Sequence, residues 1–375
     1  MIDLRWTDLS FGISLFFNIS FLLYLVVFYR KSVALPTFDD KKSISLLLYS
    51  LLLVIIVSAG SNSDWYNYQE MVWNYDPRAG ASNYGEPFYS FLIAFVNQNY
   101  LLFRLFVWGG ALLLSCLAFE RFSVDINVAV FFLISVFLIR FNYARASLAM
   151  SSYFFGLSFL LKPIKRLRVL SFILVALLFW GAYEFHHSLL PILLLTIVAY
   201  LPLDKYYVLF LILILLPVGA SIISNTVLGG SSLTIDLLED EYFSSKVATY
   251  SEREYGRSNI LGIIGNILMY GAFIIPAFFT TILVTHNSKS IELPVKRLYR
   301  LMISIVLFAV SFLFTRFNSY LFFYRYLFMS MIPLTILCTY LYQNGFMKKR
   351  IYTCIVLWGM VSTVQPLLTG LYHTL

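Results

Sequence analysis

Charge is scarce in this 375-residue chain: 12% of residues are charged and 60% are hydrophobic. Soluble domains carry roughly twice that share of charge, so a water-exposed globular fold is excluded. Cysteine is equally sparse. Cys116, Cys338 and Cys354 all fall in apolar runs, which indicates neither a disulfide framework nor an activated thiolate. The four histidines, His186, His187, His286 and His373, are too dispersed for a ligand cluster, and HExxH, CxxC, P-loop and GxSxG motifs are missing. Nucleotide hydrolysis and metal-assisted hydrolysis are therefore disfavoured, and no metal or other cofactor is expected. There is no basic tail and no aromatic-basic interleaving, so no nucleic-acid partner is expected either. An internal repeat of the kind that marks many secondary transporters is also absent to the eye.

What is present is apolar sequence in membrane-crossing lengths from end to end. The expected fold is an all-α polytopic membrane protein of about 12 transmembrane helices, a single integral membrane domain over residues 1–375. Spans are expected near 11–29, 44–60, 100–119, 126–140, 143–161, 169–183, 188–203, 206–224, 259–285, 301–315, 322–342 and 352–370. The first run lacks a basic leader and is followed by Arg30 and Lys31, so it is expected to stay as the first span. Orientation follows from the basic residues. Arg30, Lys31, Lys41 and Lys42, then Lys162, Lys165, Arg166 and Arg168, then Lys289, Lys296, Arg297 and Arg300, and finally Lys348, Lys349 and Arg350 occupy alternate connections. Those connections are expected in the cytoplasm, and the net charge of +8 reports insertion topology.

Two connections on the opposite side, 61–99 and 225–258, are long, acidic and aromatic. Within the first, Pro87 suits the first turn of a helix, and the apolar stretch after it is too short to cross, so an interfacial helix is expected. Aromatic faces cover the apolar side of a sugar ring while carboxylates accept its hydroxyl protons. Tyr66 and Tyr68 in the first loop and Tyr242 and Tyr250 in the second are the candidate sugar-binding residues. An aromatic belt at the membrane interface gives the same composition without a ligand.

Five arginines, Arg104, Arg140, Arg145, Arg316 and Arg325, stand at the expected outer ends of spans, where positive charge is least expected. A charge at the centre of a membrane helix costs at least about 2.5 to 3.5 kcal/mol, less near the interface, so retaining several points to function. Guanidinium forks match phosphate oxygens and stay charged at any working pH. Arg140 and Arg145 flank one tight turn, and Arg316 and Arg325 flank another. The alternative for any one of them is a side chain snorkelling to lipid phosphate.

Several elements, in order, carry a resemblance: SDWYNY, GEPFYSFLIAF, RASLAMSSYFFGLSFLLK, FHHSLL and a late RF, YRYLF, IP pattern. Together they resemble the EpsG branch of the Wzy-type bacterial polysaccharide polymerases. That resemblance implies a GT-C-like glycosyltransferase in the bacterial inner membrane, active at the periplasmic face. It would join oligosaccharide repeat units carried on undecaprenyl pyrophosphate and release undecaprenyl pyrophosphate. The implied partners are that lipid-linked oligosaccharide and membrane lipid, with a chain-length regulator protein beside them. One departure is Arg145-Ala146, where many relatives read Arg-Gln.

Glycosyl transfer also benefits from a base that takes the acceptor's proton. The candidate catalytic residues are Asp64, Glu86 and His187, all expected on the outer side near the membrane. The resemblance favours an acid in the first outer loop, which is Asp64. Glu86 opens the interfacial helix, where the helix dipole alone explains an acid. His187 follows Glu184 by three residues, as an oriented acid/base or as a polar span end, and the sequence does not separate it from His186. An O-antigen ligase shares this donor chemistry. A lipid-linked oligosaccharide flippase shares the substrate but needs charged groups through the midplane.

Overall fold

The computed structural model describes residues 64–75, 86–141, 144–164, 168–201, 260–311 and 319–374. Among these residues there are helices and no strand. The expected spans at 11–29, 44–60 and 206–224, and the outer loop 225–258, lie outside the described residues.

The helices fall into two compact units, one of the described residues up to Leu194 with those from Tyr342 onward, the other Leu195–Leu341. In the first unit α1 is Asp64–Trp73, α2 Pro87–Val96 and α3 Tyr100–Arg104. A π-helical turn, Leu105–Gly109, leads directly into α4, Gly110–Arg121. Then come α5 (Ile126–Phe141), α6 (Ala144–Leu161), α7 (Arg168–Phe185) and the short α8 (Leu190–Leu195). The stretch 61–99 is thus not all loop. Its acid-and-tyrosine segment winds into α1, and Pro87 opens α2 as its first helical residue.

The rod Tyr100–Arg121 is 22 residues long with mean hydropathy 2.0, the one helix among the described residues long and apolar enough to cross a membrane. At 1.5 Å per residue that is roughly 33 Å, the thickness of a hydrocarbon core. Large apolar side chains stand exposed on α2 and α7, among them Phe91, Phe95, Val169, Phe172 and Trp180. Such continuous apolar exposure belongs to a lipid-facing surface, and the chain is a membrane protein.

Packing inside this unit uses small residues where helices meet. A Cβ on Gly156 of α6 would stand 3.0 Å from the Leu178 side chain of α7. The Ser115 and Ser151 hydroxyls hydrogen-bond across α4 and α6 at 2.9 Å. On α13 (Lys349–Thr374), Gly359 lies so close to α5 that a Cβ would meet the Val136 Cα at 2.6 Å. With no hydrophobic drive between helices in lipid, close approach of this kind supplies the packing energy.

The second unit holds α9 (Ile260–His286), α10 (Leu293–Ser311), α11 (Ser319–Phe328) and most of α12 (Met331–Gln343). Two expected spans are broken. The run at 188–203 is a 3-10 turn, α8 and a second 3-10 turn, Thr196–Tyr200, and the run at 322–342 is split into α11 and α12. Proline explains both, since it lacks an N–H and its ring opposes the carbonyl four residues back. Pro191 faces His187 in this way and Pro333 faces Met329.

Candidate active site

Glu86 is the residue from which the site is built. It precedes α2 in extended conformation (φ −125°, ψ 122°), and its side chain makes no capping bond to its own helix. The carboxylate turns to two other elements. One oxygen, Oε2, accepts from Arg145 Nη1 at 2.6 Å, and the other, Oε1, accepts from His186 Nδ1 at 3.2 Å. Arg145 is the second residue of α6, and His186 is the first residue after α7. One carboxylate therefore ties the starts of α2 and α6 to the end of α7.

Exposure differs across this cluster. The Glu86 and His186 side chains are 11% and 10% exposed, whereas Arg145 is 35% exposed. Arg145 makes no hydrogen bond other than that to Glu86 among the described residues. Among the described residues its guanidinium is thus held by one N–H. Burial would raise the Glu86 carboxyl, but the His186 hydrogen bond, the Arg145 charge and the other contacts of these two residues outweigh it. Glu86 is accordingly a carboxylate, with its pKa below the ordinary value.

An aromatic layer supports the arginine. The Arg145 guanidinium stands 5.4 Å from the centre of the Tyr89 ring, a cation-π distance. Tyr89 meets Tyr68 edge-on at 6.0 Å and Phe103 at 5.7 Å, and Phe103 stacks on Tyr100 at 5.9 Å. Arg104 stands 5.7 Å from the Tyr100 ring at the far end of this layer. Burial, then neighbouring tyrosines and Glu86, push the Tyr89 phenol well above its usual range against the pull of Arg145, so it stays neutral. The turn from α2 to α3 contains two non-glycine residues in left-handed conformation, Asn97 and Gln98, and Gln98 Nε2 donates to the carbonyl of Tyr75, two residues beyond α1. That hydrogen bond ties the exit of α1 to the turn that follows α2.

Glu86, Arg145, Tyr68 and Arg104 come together in the first unit, with Tyr68 and Arg104 buried. Tyr68 presents its ring to Tyr89 and Phe103 inside the layer. His187 faces elsewhere: 44% exposed, it lies 3.9 Å from Glu184 and stacks on Tyr183 at 4.6 Å. Asp64 begins α1, Tyr66 lies within it and Arg140 lies near the end of α5, but their side chains are outside the described set. Arg325 is half-buried on α11 of the second unit. Arg316, Tyr242 and Tyr250 are outside the described residues.

Sequence reasoning did not assign His186 or Tyr89. The His186-His187 doublet at the end of an apolar run was the visible signal, and only the exit of the chain from α7 decides which ring turns toward Glu86.

No curated protein and no solved structure matches the chain. A family model does, over residues 41–365, and it spans every element of the cluster just described: the chain belongs to the EpsG family of polysaccharide polymerase-like membrane proteins.

Proposed function

We propose that this protein polymerises undecaprenyl-pyrophosphate-linked oligosaccharide repeat units at the periplasmic face of the bacterial inner membrane. The growing glycan is transferred to the acceptor repeat unit, and undecaprenyl pyrophosphate is released. Family membership supports the reaction class. The observation that carries the mechanism is the Arg145 guanidinium, fixed by Glu86, backed by Tyr89 and 35% exposed.

A lipid-linked donor presents its pyrophosphate at the membrane boundary. As the glycosidic carbon leaves the phosphate oxygen, negative charge grows there, and a preorganised guanidinium stabilises it without reorganisation. Arg145 is the foremost of these cations in this reading; Arg104, Arg140, Arg316 and Arg325 are proposed as further pyrophosphate contacts on their sequence positions alone. Fixed arginines take over the charge stabilisation that a divalent metal supplies in other transferases. The aromatic rings of the first outer segment would guide the sugar.

The test is purified protein given only its undecaprenyl-pyrophosphate repeat unit, in the presence of a chelator. The expected product is a ladder spaced by one repeat, with undecaprenyl pyrophosphate released. A flippase would relocate the lipid without lengthening it, and a ligase would produce nothing until a lipid A core acceptor was added.

A further inference from the structure

The C-terminal end of α7 carries a second polar group, outside the Glu86 cluster. Glu184 is the one acid in α7 and stands in its last turn, where the helix dipole disfavours a negative charge. Trp180, one turn earlier, holds it there: the indole Nε1 donates to Glu184 Oε1 at 3.1 Å. The other carboxylate oxygen, Oε2, lies 3.9 Å from His187 Nε2, too far for a hydrogen bond. Trp180 is 53% exposed, and the His187 ring, stacked on Tyr183, is exposed as well. Residues three and four apart on a helix share a face, so ring, carboxylate and imidazole form one shelf.

We propose that Trp180, Glu184 and His187 form a sugar-binding subsite that receives a neutral pyranose of the acceptor repeat unit. The apolar face of the sugar covers the indole, and one hydroxyl enters the 3.9 Å gap, donating to Glu184 Oε2 and accepting from His187 Nε2–H. The acceptor role rests on the glycosyl-transfer reading above; the sugar contact itself does not. Two features set this shelf apart from an interfacial aromatic belt. A belt tryptophan turns its N–H to headgroups or water, whereas this one directs it onto a carboxylate. That carboxylate repels a lipid phosphate and accepts from hydroxyls. Phe88 joins the shelf to the Glu86 cluster: two residues after Glu86, its ring meets Trp180 edge-on at 4.9 Å and Phe185 at 5.5 Å. Tyr68, a candidate for sugar stacking by sequence, has its ring buried in the aromatic layer, while the Trp180 ring is open to a ligand.

The probes are the repeat-unit oligosaccharide freed from its lipid, undecaprenyl pyrophosphate, and the lipid-linked repeat unit for turnover, with the full chain in nanodiscs. Glu184→Gln keeps the shape of the side chain and removes its charge. Binding of the free oligosaccharide is expected to weaken about 10-fold or more, the scale of one hydrogen bond to a charged group. Trp180→Leu is expected to weaken it roughly 3- to 10-fold through loss of the ring face. In both variants binding of undecaprenyl pyrophosphate stays within about threefold, and KM for the lipid-linked repeat unit rises while kcat holds within about threefold. If Trp180→Leu fails to accumulate, Glu184→Gln decides, because it leaves every ring in place. The proposal is overturned if Glu184→Gln keeps oligosaccharide binding within about twofold of wild type, which would leave the shelf as a belt. It is equally overturned if binding of both ligands weakens together, or if wild-type protein shows no saturable binding of the free oligosaccharide. Wild-type protein that binds the oligosaccharide through these residues but yields no ladder would defeat the polymerase reading and leave the sugar subsite standing.

Discussion

Helix α6 carries an arginine contact at each end, and the two are built differently. At its C-terminal end Arg121, from the last turn of α4, donates to the Lys162 carbonyl and lies 4.4 Å over the Phe159 ring. Around it, Lys162 Nζ donates to the Ser123 hydroxyl at 2.8 Å, and Asp125 caps α5 by accepting from the Asn127 and Val128 N–H groups. Arg121 and Lys162 lie at helix C-terminal ends and Asp125 at an N-terminal one, where the helix dipoles favour those charges. At the opposite end Arg145 is the second residue of α6, where that dipole disfavours a cation. It is retained there by a carboxylate from a separate helix and an aromatic ring beneath it. An arginine at a helix end is therefore no evidence of a site in itself; one held against its own helix dipole by a carboxylate from another part of the fold is a candidate for one.

The comparison is broken most severely through Arg145. Arg145→Lys keeps the charge but loses the fork, and the rate of polymer formation is expected to fall on the order of 100-fold, as when one preorganised donor is removed from a developing anion. Arg121→Lys should leave that rate within about threefold, and equal losses in the two variants would erase the distinction. Glu86→Gln comes next. Loss of a supporting carboxylate from a functional group costs roughly 10- to 100-fold by analogy with metal ligands, and here both binding of undecaprenyl pyrophosphate and turnover should decline.

Stability changes sharpen the contrast without touching the chemistry. Gly359→Ala forces α13 away from α5 and should cost about 1–3 kcal/mol by overpacking. Turnover per folded molecule should be unaltered, which a melting curve beside a rate normalised to folded protein would check. Glu86 contributes to the acid limb of stability. Its folded pKa lies below the ordinary 4.5, so its contribution is fully present above that value and is lost as pH falls through the depressed one. Melting temperature should be insensitive to this group near neutrality and decline in acid, and Glu86→Gln should flatten that part of the decline. Arg121→Ala is the smallest effect, about 0.5 kcal/mol of lost helix-terminus interaction.

Much of this fold was legible because hydropathy dominates the sequence. Helices α4 to α7, α9 and α13 lie close to the expected runs, since a long apolar segment has few alternatives in lipid. The breaks at Pro191 and Pro333 were legible in principle, but the apolar count outweighed the missing N–H. Helix α1 was hidden by its composition: Asp64–Trp73 mixes acids, amides and rings without an apolar stripe, and its order comes from Tyr68 packing on Tyr89 and Phe103. In the candidate site, Glu86 and Arg145 were visible as charges out of place. Their pairing was not, because residues 59 apart meet only through the packing of α2 on the helices that follow. Glu86 does stand at the start of its helix, where the dipole favours an acid, but its carboxylate makes no capping bond there and turns to Arg145 and His186.

The central claim is that the guanidinium pinned by Glu86 carries the departing pyrophosphate. It is tested most directly by measuring undecaprenyl pyrophosphate release from a defined repeat-unit substrate by wild-type protein and by Arg145→Lys, side by side and normalised to folded protein. Release by the wild type in step with glycan lengthening, and a roughly 100-fold slower release by the Lys variant, is the expected result. Undiminished release by Arg145→Lys would contradict the account and leave Arg145 as an anchor for α6.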